Sequence, residues 1–348
     1  MGSEVLKISL LSTLAFLVAW AWEPLLIRLL QRYGIGKQIR DGRSAPVYSK
    51  LHQAKKGMLT MGGVLVWVTV LIIAVGVYYL SVFFPNPFFS NLNFLSRSQV
   101  FLPLGAMVFA AIVGMVDDFY NVKKLGPKGG GLSMRHRFLL YTLIASVCAW
   151  WFYVKLGWDF LHIPFMGDIS IGLWYVPFFI LVIVATAFSV NEIDGLDGLA
   201  GGTLLSAFGA YGAIAFIEGK YDLATFCGVI IGALLAFLWY NIYPAKFMMG
   251  DTGAMSLGVT LGIVAILTNS ALLLPIIGLL FVIASLSVII QTASKKLWGK
   301  KIFLSSPIHH HLEASGWTEP TIVMRFWVIA IITAVIGVII VLVERGFY

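Results

Sequence analysis

Five aspartates stand where an apolar chain should tolerate them poorly. Asp117 and Asp118 are adjacent at the end of one apolar run. Asp194 and Asp197 lie three apart in Asn191-Glu192-Ile193-Asp194-Gly195-Leu196-Asp197-Gly198. Asp251 opens another apolar run in Met249-Gly250-Asp251-Thr252-Gly253. Carboxylates at membrane depth are expensive and mark functional positions by default. Two neighbouring carboxylates with a third from elsewhere supply hard oxygen ligands of the kind that magnesium shares with substrate phosphates. Each group also has a plainer reading. The Asp117–Asp118 pair can be a solvated helix end, where acids are mildly unfavourable. The Asp-Gly steps can be an ordinary turn, since glycine permits sharp turns and close backbone approach. Asp251 can be an N-cap for a helix beginning Thr252-Gly253-Ala254, although a helix N-terminus is equally a natural phosphate site.

A second polar group is His309-His310-His311. Three consecutive side chains cannot all face one point on a helix. A zinc site would want spaced ligands with Cys or carboxylate partners. The run therefore reads best as one or two histidines hydrogen-bonding a phosphate or sugar. Nearby basic residues are Lys55, Lys56, Lys123, Lys124, Lys128, Arg135 and Arg137. Most read as topology determinants and lipid-headgroup contacts, leaving one or two to meet a diphosphate.

The elements that must position these groups are transmembrane helices. The chain has 348 residues, is 59% hydrophobic and is only 11% charged. Soluble domains carry about 25% charged residues. Apolar runs of about 20 residues recur throughout, which is the membrane-span signature. A bilayer leaves backbone groups no water, so such runs are helices, and barrel strands would alternate instead. Ten spans are predicted near 8–30, 58–80, 98–116, 138–156, 171–190, 199–217, 222–241, 252–268, 271–293 and 324–343, in one polytopic domain over 1–348. Spans eight and nine should meet in a tight hairpin at Asn269–Ser270. The first run lacks an A-x-A cleavage site and reads as a retained span. Cys148 and Cys227 lie inside apolar runs and read as membrane-buried thiols, not a disulfide.

Ten spans put both termini on one side. Of the 24 Lys and Arg, 19 fall on the side of the connections near 31–57, 117–137, 191–198, 242–251 and 294–325, and five (Lys7, Arg97, Lys155, Lys220, Arg345) fall on the other. The positive-inside rule places the first set in the cytoplasm and both termini outside. The net charge of +8 then reflects topology and does not call for nucleic acid. All five aspartates belong to the cytoplasmic face. On the other face, Gly167-Asp168-Ile169-Ser170-Ile171 after Pro164 alternates as a short outer β-hairpin would, or as irregular interfacial loop.

Five segments together match a known family pattern. They are Thr60-Met61-Gly62-Gly63, Asp117-Asp118, Asp194-Gly195-Leu196-Asp197-Gly198-Leu199-Ala200, Met249-Gly250-Asp251-Thr252-Gly253, and Pro307-Ile308-His309-His310-His311-Leu312-Glu313 with Gly316-Trp317 and Arg325-Phe326-Trp327. In order and spacing the chain resembles the phospho-N-acetylmuramoyl-pentapeptide-transferase family. That family belongs to the wider polyprenyl-phosphate N-acetylhexosamine-1-phosphate transferases. The resemblance runs from Lys55 through Trp327, and the triple-histidine segment points to the muramoyl branch.

The resemblance implies ten transmembrane helices, a homodimer in the bacterial inner membrane, Mg2+ dependence and a cytoplasmic active site. It implies transfer from UDP-N-acetylmuramoyl-pentapeptide (UDP-MurNAc-pentapeptide) to undecaprenyl phosphate, giving lipid I and UMP in peptidoglycan biosynthesis. Carried onto this chain, Asp117 is the base or nucleophile-contacting acid, Asp118 its catalytic neighbour and Asp251 the magnesium ligand. His309 and His310 line the catalytic site. Lys55, Thr60, Asn191, Asp194, Asp197, Asn241 and His311 match substrate-binding positions. The chain departs from the pattern at Met58-Leu59, where Thr-Pro is usual, and at Glu192-Ile193, where Leu-Thr is usual. Asn121, Met248 and Ala254 stand for a common lysine, aromatic and serine. Direct attack by the lipid phosphate and a covalent aspartyl-phosphate route both fit. Two other functions compete. One is a transferase for UDP-N-acetylglucosamine. The other is a cation-coupled transporter, which would place its carboxylates near the bilayer midplane and not at span ends.

Overall fold

The computed structural model describes residues 2–36, 55, 57–96, 99–126 and 130–346. Lys56 and Lys128 lie outside the described residues. Ten helices are long and apolar enough to cross a membrane. They are α1 (Gly2–Arg32), α2 (Val64–Phe83), α3 (Phe101–Val122), α4 (Met134–Trp150, extended by a π turn over Trp151–Lys155), α5 (Tyr175–Ile193), α6 (Leu199–Ile217), α7 (Tyr221–Asn241), α8 (Gly250–Leu267), α9 (Leu279–Trp298) and α10 (Glu319–Glu344). Short helices at Pro87–Leu92, Leu274–Ile277 and Ile308–Ala314 lie between them.

Several boundaries differ from the sequence expectation, each for a local reason. The second span begins at Val64 and not near 58, because Met61 takes a left-handed φ of 68° and the following N–H groups are committed elsewhere. Gly62 N–H donates to Met248 O at 2.9 Å and Gly63 N–H to Met249 O at 2.8 Å. The third span runs six residues past the predicted end, so Asp117 and Asp118 lie inside α3 and not at a solvated terminus. The fourth starts at Met134, its first turn capped by Ser133. The ninth is interrupted: a 3-10 turn over Ala271–Leu273 and the helix Leu274–Ile277 precede a break at Gly278. The predicted hairpin at Asn269–Ser270 is present, with Asn269 at φ 50°.

Helix α8 is the axis of the bundle, buried at every position from Thr252 to Leu267. It packs against α3 on one side and α5 on the other. Small residues allow this approach. A Cβ on Gly258 would lie 2.8 Å from Ala187 Cα, and one on Gly262 2.6 Å from Thr186 Oγ1. Outside this axis, α1 packs on α7, α7 on α6, and α10 on α6.

The ends of the helices sort into two sets. Asp251 lies in the first turn of α8 and Asn269 just past its end, and the helix is 18 residues long, or ~27 Å at 1.5 Å per residue. At the Asn269 end lies an antiparallel hairpin of β1 (Phe160–Ile163) and β2 (Gly167–Ser170), pairing Phe160 with Ser170 and Ile163 with Gly167. Asn269 donates to Asp168 at 3.2 Å, and His162 Nε2 meets Glu344 at 2.8 Å. The C-terminal end of α10 therefore sits here. So does the start of α1, since Lys7 pairs at 2.8 Å with Asp222 in the first turn of α7. The start of α1 and the end of α10 both lie opposite Asp251, as an even number of spans requires.

Candidate active site

Four helices and two loops converge around Asp251. Asp117 and Asp118 come from the last turns of α3, Asn191 from the last turn of α5, Arg137 from the first turn of α4, and Asp251 from the first turn of α8. Asp117 is completely buried and Asp118 nearly so. Asp117 Oδ1 accepts from Leu132 N–H at 2.5 Å, and its Oδ2 lies 2.7 Å from Arg137 Nε. Arg137 Nη2 lies 2.9 Å from Asp251 Oδ2, and Nη1 donates to Asn191 Oδ1 at 3.1 Å. Asn191 returns the contact by donating its Nδ2 to Asp251 Oδ1.

Asp251 does not cap its own helix. Two other aspartates take the free N–H groups of the α8 N-terminus: Asp118 Oδ2 accepts from Thr252 at 2.9 Å, and Asp194 Oδ2 accepts from Gly250 at 3.0 Å. The capping reading of Asp251 is thereby corrected. Carboxylates from α3 and from the α5–α6 turn satisfy these donors, which leaves the Asp251 side chain to face Arg137 and Asn191. Gly250 makes the arrangement possible: at φ +77°, a Cβ there would lie 2.7 Å from Asp118 Oδ2 and 2.8 Å from Thr60 Oγ1. Thr60 itself donates weakly to Asp118 at 3.5 Å.

A second cluster adjoins the first. Lys55 Nζ lies 2.6 Å from Asp197 Oδ1 and 2.5 Å from Glu319 Oε1. Asp197 Oδ2 accepts from Ala245 N–H at 3.0 Å, and Asp197 N–H donates to Glu319 at 2.6 Å. Asn241 bridges the same region, accepting from Gly198 N–H at 3.0 Å and donating to Phe247 O at 2.7 Å. The Asp-Gly turn is therefore an anchored structure, tied to α10, to α7 and to the segment before α8. Trp327 closes it from α10, its indole N–H donating to Gly198 O at 3.0 Å.

The histidines divide as helical spacing requires. His309 and His310 are buried and face Gly195: a Cβ there would lie 2.4 Å from His309 Nε2 and 2.7 Å from His310 Nε2. His310 Nδ1 meets Glu313 at 2.6 Å. His311 turns to a different neighbourhood, accepting from Leu304 N–H at 3.3 Å and packing against Phe303. Gln291 holds that same segment through Ile302 and Phe303.

Two residues in this network were not singled out by sequence. Glu319 lies at the start of a long apolar run, where it reads as a helix-start acid. Arg137 was one of seven basic candidates with nothing to rank it. The departures from the family pattern also find places. Leu59 bridges Phe247, Asn121 lies beside Gly130, and Ala254 is buried in α8. Phe247 is buried against Phe237 and Gly62 and presents no open aromatic face, and Met248 is also inside.

The donor set suits a hard divalent cation. Asp117 and Asp251 share the Arg137 guanidinium, the buried Asp118 is held by Thr252 N–H and Thr60, and buried charge of one sign calls for compensation. Among the described residues, no three His, Cys, Asp or Glu side chains already converge as a metal cage.

Comparison with known proteins agrees with the geometry. Residues 100–269 match the model for glycosyl transferase family 4. A phospho-N-acetylmuramoyl-pentapeptide-transferase of Chloroflexus aurantiacus is 37% identical over 96% of this chain and 89% of its own length. One of Geobacillus sp. is 38% identical over 93% and 95%, and one of Desulfosudis oleivorans is 36% identical over 94% and 90%. With full-length similarity at this level and the aspartates gathered at one end of ten apolar helices, the chain belongs to the phospho-N-acetylmuramoyl-pentapeptide-transferase family.

Proposed function

We propose that this protein transfers phospho-N-acetylmuramoyl-pentapeptide from its UDP-linked donor to undecaprenyl phosphate, giving lipid I and UMP. The observation that carries the reading is the joining of Asp117, Asp118, Asp251, Arg137 and Asn191 into one buried cluster at one end of the bundle. The distribution of Lys and Arg supports assigning that end to the cytoplasm of a bacterial inner membrane, with the termini and the hairpin outside. The family resemblance supports a homodimer.

In this reading Asp251, helped by Asp117 or Asp118, would hold Mg2+. When bound, the ion supplies charge neutralisation on the diphosphate oxygens. Phosphoryl transfer depends mostly on such neutralisation and on alignment. The attacking lipid phosphate is largely dianionic at neutral pH, its second pKa being about 6. Asp117 therefore acts to orient the nucleophile more than to deprotonate it. Its own orientation is set by Leu132 N–H, which donates to Oδ1. An oxygen of the lipid phosphate forms a bond to the sugar-bearing phosphorus while the bond from that phosphorus to the UMP oxygen breaks. Asn191, Asp194, Asp197 and Asn241 shape the nucleoside and sugar side. Lys55 and Thr60 serve the phosphates or sugar, and His309 and His310 close the site over Gly195.

The test is UMP release by detergent-solubilised protein supplied with UDP-MurNAc-pentapeptide, undecaprenyl phosphate and Mg2+. Lipid-dependent release, abolished by a chelator and by Asp251→Ala, is the expected result. Release from UDP-N-acetylglucosamine alone would move the chain to the sister branch. Release from neither donor by folded protein would overturn the reading.

A further inference from the structure

Arg137 contacts one oxygen each of Asp117 and Asp251, two of the three carboxylates that would hold a divalent ion. Its guanidinium contacts Asp117 Oδ2 through Nε at 2.7 Å, Asp251 Oδ2 through Nη2 at 2.9 Å and Asn191 Oδ1 through Nη1 at 3.1 Å. One planar ion thus ties together α3, α5 and α8 from the first turn of α4. A guanidinium stays charged and forks naturally onto carboxylates. The same fork recognises phosphate oxygens equally well. Two cations cannot fully hold the same carboxylate oxygens at once, because they repel each other strongly in a partly buried site. The side chain is 16% exposed, so it has a route outward.

We propose that Arg137 is an internal competitor for the metal position. It holds Asp117 and Asp251 in a closed, charge-compensated pair. A divalent ion enters only as the guanidinium leaves these carboxylates, and the released guanidinium is then available to the diphosphate of the nucleotide substrate. Metal and substrate binding are thereby coupled: each makes the displacement of Arg137 less costly for the other. The inference rests on the reading of the acid cluster as a divalent-cation site.

The experiment is a Mn2+ titration followed by electron paramagnetic resonance on purified full-length protein without nucleotide. Four forms are compared: wild type, Arg137→Gln, Arg137→Lys and Asp251→Ala. Wild type binds Mn2+ in a manner lost in Asp251→Ala. Arg137→Gln, which loses the charge but keeps a donor for Asn191, binds it about tenfold more tightly, the order expected for removing a unit charge a few ångströms away. Arg137→Lys keeps a cation that cannot fork onto both carboxylates and shows an intermediate gain. Should Arg137→Gln fail to fold, Arg137→Lys decides by the same criterion. Unchanged or weaker binding in the Arg137 variants, with Asp251-dependent binding in wild type, overturns the role of Arg137 and leaves the metal reading standing. Absence of Asp251-dependent binding in every form overturns both.

Discussion

Replacing Gly195 by alanine adds one methyl group between the Asp-Gly turn and two buried imidazoles. The new Cβ would lie 2.4 Å from His309 Nε2 and 2.7 Å from His310 Nε2, where ordinary contact begins at 3.4 Å. The rings must therefore retreat by ~1 Å, in an interior packed too closely to absorb the shift for free. Gly195 has no positive φ, so the backbone itself accepts alanine. Overpacking of this kind costs about 1–3 kcal/mol of stability. A displacement of about 1 Å at positioning groups costs roughly 100-fold in rate. Gly195→Ala is thus expected to remain folded, with a modestly lowered Tm, while kcat for UMP release falls by about two orders of magnitude. Steady-state kinetics alongside thermal unfolding in detergent separates the two effects. A kcat within twofold of wild type, at unchanged expression and Tm, would refute the placement of His309 and His310 against the turn.

Three further outcomes follow from other contacts. Glu319→Ala strips Lys55 of one of its two carboxylates and leaves Asp197 N–H without its acceptor; a loss of about 3 kcal/mol in unfolding stability is expected, as for other broken buried ion pairs, and an unchanged Tm would contradict it. Gly63→Ala places a Cβ 2.2 Å from Gly253 Cα, where both partners are backbone and neither can turn aside; folded protein should fall to a small fraction of wild type in size-exclusion chromatography. His162→Ala removes one of the links from the hairpin to Glu344 at the far end of the bundle, leaving that of Phe165 N–H; it should lower Tm by a few degrees, corresponding to about 1 kcal/mol, with kcat for UMP release unaltered.

The number of helices and the gathering of the five aspartates at one end of the bundle were legible in the sequence. Apolar run length is dictated by bilayer thickness, and an acid in such a run has to be explained by something other than packing. The histidine run was legible in the same way, because helical spacing alone forbids all three from sharing a target. What the sequence left open were roles that depend on partners far along the chain. Asp251 looks like a cap for its own helix. Only the folded arrangement shows Asp118, 134 residues away, taking the Thr252 N–H instead, and Asp194 taking that of Gly250. Arg137 is one basic residue among several until α3 and α8 bring Asp117 and Asp251 to its guanidinium. Glu319 reads as an ordinary helix-start acid until α10 packs on α6 and carries it to Lys55 and the Asp197 backbone. Residue type and local periodicity determine which groups are unusual. Long-range packing decides which of their hydrogen-bonding and charge requirements are met within the fold, and so which side chains remain turned toward the site.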